Sequence, residues 1–122
     1  MQFSSEQQEL ITELVEKQIK VSINKIVDIQ RLENGKIVFL EQGNSFAGLQ
    51  HILNHAADFK KRGICQDEIA NVVMTAITQG NIVGYQRKRP IYELMYQGKK
   101  QYIAITIGNN GFIVGANPAT FP

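Results

Sequence analysis

The period of the apolar residues changes in the last third of this chain, and that change limits the fold more than any other feature. Residues 45–62 and 66–79 carry apolar side chains at helical spacing, whereas 82–85, 91–96, 102–107 and 112–117 are short β-prone runs divided by turn residues. Helices first and strands last give an α+β chain that closes in an antiparallel meander, and they argue against the alternating order of a parallel nucleotide-binding sheet. At 122 residues, 43% of them hydrophobic, the chain is expected to form a single domain, 1–122. No charge block or repeat is long enough to keep a segment unfolded, which excludes a disordered tail protein and a coiled coil. No apolar run approaches the roughly 20 residues that span a bilayer, and the start Met1-Gln2-Phe3-Ser4-Ser5-Glu6 lacks the basic-then-apolar order of a signal peptide. A soluble, unsecreted chain is the expectation.

Residues 5–19 place Leu10, Ile11, Leu14, Val15 and Ile19 at helical spacing, with Ser4 and Gln7, or Ser5 and Gln8, spaced as a capping box. Asn34-Gly35 then divides two β-prone runs, 27–32 and 36–40, as a hairpin requires. Over 45–62 the stripe Phe46, Leu49, Ile52, Leu53, Ala56 and Phe59 predicts one helix ended by Gly63. A second runs from 66 to 79, with Ile69, Val72, Val73, Ala76 and Ile77 buried and Gly80 as its stop. The single cysteine, Cys65, reads as a helix-entry residue or small buried hydrophobe, and no Cys or His cluster has structural zinc spacing.

Turn chemistry predicts which strand residues share a face. A two-residue turn at Asn110-Gly111 sets Thr106 opposite Gly115 and Ala104 opposite Asn117, so Thr106 and Asn117 share a face; a three-residue turn at Asn109 reverses the last strand. Either two-residue turn around Gly98 puts Tyr92, Leu94 and Tyr96 with Ile103 and Ile105 on the core side. Glu93 then joins Tyr102, Thr106, Ile91 and Met95 on a more polar face.

The net charge is only +2, from 13 Lys and Arg against 11 Asp and Glu, which by itself does not indicate a nucleic-acid partner. Its distribution is more informative. Lys60-Lys61-Arg62, Arg87-Lys88-Arg89 and Lys99-Lys100 form three basic clusters, while Glu6, Glu9, Glu13 and Glu16 gather early. The only histidines, His51 and His55, lie four apart on the 45–62 helix, with Asp58 and Arg62, on a polar strip beside the apolar stripe. Imidazole is the best-suited acid–base group in this sequence. A His-x-x-x-His pair can also take zinc, but Ile52 stands where a zinc protease has Glu.

The stretch Leu40-Glu41-Gln42-Gly43-Asn44-Ser45, then Ala47-Gly48-Leu49-Gln50-His51-Ile52, His55-Ala56-Ala57-Asp58-Phe59 and Gly63-Ile64, resembles the entry helix of small bacterial and phage nuclease domains. Arg89-Pro90-Ile91-Tyr92-Glu93 and Asn110-Gly111-Phe112-Ile113-Val114-Gly115-Ala116-Asn117-Pro118 are similar to the closing strands of the same group. That group is the barnase, EndoU, colicin and RelE-like ribonuclease superfamily, especially the toxin domains at the carboxyl ends of contact-dependent inhibition and other polymorphic toxins, and related phage domains. The resemblance spans residues 36–118, with 1–35 as a helical lead-in. It implies a barnase-like or colicin-like architecture and metal-independent cleavage of RNA, often transfer RNA, with no cofactor and no metal. It also implies a cognate immunity or antitoxin protein, with action in the cytoplasm, on delivery or secretion if the chain belongs to a larger toxin system. Relatives often carry Arg just before the second helix His. Here that position is Asn54, so Arg62, Arg87 or Arg89 must supply the cation or activity falls.

Metal-free RNA cleavage needs a base for the ribose 2′-hydroxyl, a cation for the phosphorane and an acid for the departing 5′-oxygen. The expected parts are His55 or His51 as base or acid, Glu93 as a second acid–base group, and Arg89 with Lys60 or Arg62 on phosphate. Thr106, Tyr102 and Asn117 would donate from the sheet. The rivals are a catalytically inactive RNA-binding or phage-derived assembly or regulatory module, and a metal-bound His pair.

Overall fold

The computed structural model describes residues 3–122. The amphipathic amino-terminal segment forms α1 (Ser5–Glu16). Ser4 and Gln7 cap it reciprocally, the side chain of each accepting the other's backbone N–H at 3.1 Å. The helix stops earlier than its apolar spacing predicts. Gln18 turns left-handed at φ 61°, and the N–H groups of Gln18 and Ile19 close back on the carbonyls of Val15 and Leu14 in a Schellman arrangement.

The expected hairpin follows as β1 (Ile26–Arg31) and β2 (Ile37–Glu41). Leu32 N–H donates to the Lys36 carbonyl at 2.8 Å, leaving Glu33-Asn34-Gly35 as the loop. β2 is buried along its whole length because its two faces serve two cores. Ile37 and Phe39 join Ile26 and Ile29 beneath Leu10, Ile11 and Leu14 of α1, while Val38 and Leu40 enter the main core. Glu13 of α1 reaches across to Arg31 of β1 at 2.8 Å and to Lys17 at 3.0 Å. Hydrogen bonds from Arg31 first, then Lys17, draw the Glu13 carboxyl down from its ordinary 4.5 to about 2. A depressed carboxyl stabilises the fold above its unfolded value and loses that effect as pH falls through the folded one. Glu13→Gln should therefore flatten the acid dependence of Tm between about pH 4.5 and about 2, read by thermal melts across that range. Water screening keeps the effect small.

The expected single helix over 45–62 is broken. Residues 42–48 are a loop, followed by α2 (Leu49–Ile52), a 3₁₀ turn (Leu53–His55) and α3 (Ala56–Lys61). Asn44 turns its side chain onto the backbone ahead of it, and Gly48 at φ 90° is far from helical, so the helix starts only at Leu49. Phe46, expected in the buried stripe, is 83% exposed, whereas Phe59 is fully buried. Gly63 ends the helix at φ 81° as expected. A 3₁₀ turn (Gln66–Glu68) then leads into α4 (Ile69–Gln79). Cys65 is its entry residue: its N–H donates to Glu68, whose carboxylate pushes the Cys65 thiol up from its ordinary value. It is no activated nucleophile.

The carboxyl-terminal third is the expected antiparallel meander, β3 (Asn81–Gln86), β4 (Arg89–Tyr96), β5 (Lys99–Ile107) and β6 (Ile113–Pro118), in the order β3-β4-β5-β6. The fold class is α+β, with helices and antiparallel sheets. Gln97-Gly98 makes a two-residue turn with positive φ at both positions, so Tyr96 faces Lys99 and Leu94, Ile103 and Ile105 enter the core with Phe59, Val72 and Val73. The last turn differs from expectation yet leads to the same register. Gly108 N–H donates to the Phe112 carbonyl at 2.8 Å around a three-residue loop, and Ile107 pairs with Ile113. A bulge at Val114 then restores Thr106 opposite Gly115 and Ala104 opposite Asn117. The face away from the helices is less polar than expected, since Ile91 and Ala104 are buried there with Ala119. No helix among the described residues is long and apolar enough to cross a membrane.

Candidate active site

Arg89 opens β4 on the face turned away from the core, in the row that holds Thr106 and Gly115. The sheet fixes its guanidinium from two sides: Nε donates to Thr106 Oγ1 at 2.7 Å and Nη1 to Asn117 Oδ1 at 2.8 Å. The Asn117 amide is held in turn, Nδ2 donating to Gln86 Oε1 at 2.8 Å and to the Pro118 carbonyl at 3.0 Å. Arg89 Nη2 is left over Gly115. Burial pushes the Arg89 guanidinium down from its ordinary value, but an arginine so placed remains a cation.

α2 lies against β6 through the Gly48 N–H, which donates to the Val114 carbonyl at 2.9 Å. This docking carries His51 over the same glycine. A Cβ on Gly115 would stand 3.0 Å from Arg89 Nη2, 3.1 Å from His51 Cδ2 and 3.4 Å from His51 Nε2. The imidazole and the free edge of the guanidinium thus flank one small space that only glycine leaves open. His51 Nδ1 lies 2.9 Å from the Ser45 carbonyl oxygen. A carbonyl only accepts, so Nδ1 carries the proton and Nε2, facing the Arg89 side, is free to take one.

Arg89, Thr106 and Asn117 border a cleft of about 610 Å³ lined also by His55, Gln86, Arg87 and Lys88, and His51 stands beside it, across Gly115 from Arg89. Three cations and no carboxylate line it, which makes it a place for an anion. His55 ends the 3₁₀ turn, its Nδ1 3.5 Å from Asp58 Oδ2. Arg87, at the tip of the β3–β4 turn, has φ 58°, a left-handed conformation that costs an L-residue roughly 1–3 kcal/mol. The sequence offers Arg87 as one possible substitute for the cation missing at Asn54, but gives no role to Lys88 or Gln86. Their signal was the two-residue length of the turn, which puts all three beside Arg89.

Of the expected site residues, His51, His55, Arg89, Thr106 and Asn117 meet here. The others do not. Glu93 and Tyr102 occupy the same sheet face but pair with each other one full row set away, four residues or roughly 13 Å along the strands. Burial first, then Glu93, pushes the Tyr102 hydroxyl up from its ordinary value, and its ring packs edge-on against Phe121 at 5.5 Å. Arg62 donates to the Ala119 carbonyl at 2.7 Å, tying the end of α3 to the segment after β6, so its cation is spent on structure. Lys60 is exposed on α3 and absent from the cleft lining. Lys99 and Lys100 begin β5 at the far end of the sheet from Arg89. One basic cluster of three, 87–89, therefore reaches the histidines, and Arg89 stands in the cleft where Asn54, exposed on the helical segment, offers no charge. Among the described residues, the group of side chains close enough to share a cation is Cys65, Asp67 and Glu68, none of which lines this cleft.

No protein-family model matches the chain, and no curated protein sequence is significantly similar to it.

Proposed function

We propose that the protein is a metal-independent endoribonuclease of barnase-like and colicin-like architecture, acting on RNA with transfer RNA among its substrates. The single observation that carries the reading is the meeting of His51 Nε2 and Arg89 Nη2 over Gly115, beside a cleft that Arg89 lines with two further cations and no carboxylate. A base and a fixed cation flanking one space is what attack of a 2′-hydroxyl on the adjacent phosphorus requires. His51 Nε2 takes the hydroxyl proton as the 2′-oxygen bonds to phosphorus. Arg89, aimed by Thr106 and Asn117, holds the non-bridging oxygens as their charge grows, and needs no reorientation to do so. The bond from phosphorus to the 5′-oxygen breaks and His55 protonates that oxygen, leaving a 2′,3′-cyclic phosphate and a 5′-hydroxyl. Arg87 and Lys88 extend the cationic surface along the incoming strand. A toxin working this way in a cytoplasm needs a cognate immunity protein, acidic where it covers the cleft.

The test is incubation of purified protein with total RNA and transfer RNA in EDTA, with fragment ends read by mass spectrometry. Cyclic phosphate ends are expected. Arg89→Lys, which keeps the charge but loses the fork that Thr106 and Asn117 hold, should cost about 10²–10³-fold in rate. Salt-sensitive RNA binding with intact ends would instead mark a binding module of the same fold.

A further inference from the structure

The loop between β2 and α2 is built by its own polar atoms. Asn44 Oδ1 accepts from the backbone N–H groups of Phe46 at 2.8 Å and Ala47 at 3.2 Å, while Asn44 N–H donates to the Ala47 carbonyl at 2.9 Å. One residue thus closes the turn 44–47 from both its side chain and its backbone. Gly43, at φ 64°, permits the closure, since a Cβ there would run into the Ala47 carbonyl. The ends of the loop are pinned as well: Gln50 N–H donates to the Gln42 carbonyl and Gly48 N–H to the Val114 carbonyl, both at 2.9 Å. Nothing covers the turn, and Phe46 at its tip packs against no core. From this closed turn the Ser45 carbonyl meets His51 Nδ1 at 2.9 Å.

The geometry points to Asn44 as a positioning residue that sets the tautomer and the aim of His51 through the Ser45 carbonyl, without touching the substrate. A histidine side chain in water prefers its proton on Nε2, the nitrogen that must here be bare. The turn closed by Asn44 reverses that preference and leaves the Nε2 lone pair beside Arg89 Nη2. The inference deepens the nuclease reading, in which Nε2 is the base, but the tautomer is measurable whether or not RNA is cleaved.

The experiment is ¹⁵N NMR of the histidine rings in the full chain, comparing wild type with Asn44→Ala and Asn44→Asp, together with kcat and KM on RNA. Wild type should show His51 protonated on Nδ1 in its neutral form. Asn44→Ala should move the neutral population toward the Nε2-protonated tautomer. It should also lower kcat about tenfold with KM within twofold, well short of the ~10⁴-fold loss when a buried protease triad loses its tautomer, because His51 is only half-buried. Asn44→Asp, whose carboxylate also accepts two N–H groups, should restore both readouts. Should Asn44→Ala fail to fold, Asn44→Ser, with one shorter acceptor, carries the comparison and should lie between Ala and Asp. An unchanged His51 tautomer in the folded variant overturns the inference. A tautomer that shifts in a protein that cleaves no RNA supports the positioning role and overturns the nuclease reading instead.

Discussion

Replacing His51 by Ala is expected to lower RNA cleavage by about 10²–10⁴-fold while leaving the fold intact, since a general base of this kind contributes that much to a proton transfer. The side chain is half-buried at the rim of the sheet, and its one hydrogen bond, to the Ser45 carbonyl, belongs to a loop closed without it. His55→Ala should cost less on ordinary RNA, because the His55 side chain is partly exposed and water there can protonate the departing oxygen. The two roles separate on a substrate with sulfur in place of the scissile 5′-oxygen. A thiolate leaves without a proton, so His55→Ala should regain nearly the wild-type rate on it and His51→Ala should not. Single-turnover rates on the paired oxygen and sulfur substrates read the difference. Recovery of His51→Ala alone would exchange the two assignments, and wild-type rates for both variants would remove the histidines from the mechanism.

The largest stability effect is expected at Phe59, where truncation to Ala should cost about 3–5 kcal/mol. Its ring is fully buried in the main core with Ile52, Ile64, Val72, Ile103 and Ala116, where α3 lies against β6, so truncation leaves a cavity there. Against a total stability of about 5–15 kcal/mol for a domain of this size, such a loss is a large fraction of the whole. Phe46→Ala is the contrast. Both residues fall on the same apolar stripe in sequence, but Phe46 is 83% exposed, and its truncation should shift stability by no more than about 0.5 kcal/mol. Urea titrations of the two variants decide the matter. A loss at Phe46 comparable with that at Phe59 would mean that the continuous helix, not the Asn44 turn, is the solution structure.

The pair also shows where reading the sequence stopped short. Helical spacing depends on which residues are apolar, and Phe46 satisfies it. What breaks the helix is a polar residue two positions earlier, whose side chain outcompetes the helix for two backbone N–H groups. The same loop then orients His51, so the feature that spoiled the helix prediction belongs to the candidate site. Glu93 and Tyr102 fail for a simpler reason: a shared sheet face was read correctly, but residues on one face can still lie several rows apart. Charge and a place on the polar strip of His51 and His55 suggested Arg62, but its guanidinium is held by a main-chain carbonyl that only the path after β6 brings near.

The sequence by itself determined the α+β class, a capping box at the start of the first helix, the meander and the alternation that sets Thr106 and Asn117 on one face, because periodicity and short turns act over neighbouring residues. The register survived a wrong turn length only because one extra loop residue and one bulge residue each shift parity by one and cancel. Tertiary structure alone decided which basic cluster serves the histidines. Arg89 and His51 are far apart in the chain and meet because α2 docks on β6 over a glycine that leaves room for both. That convergence depends on packing between distant elements, and no local pattern in the 122 residues encodes it.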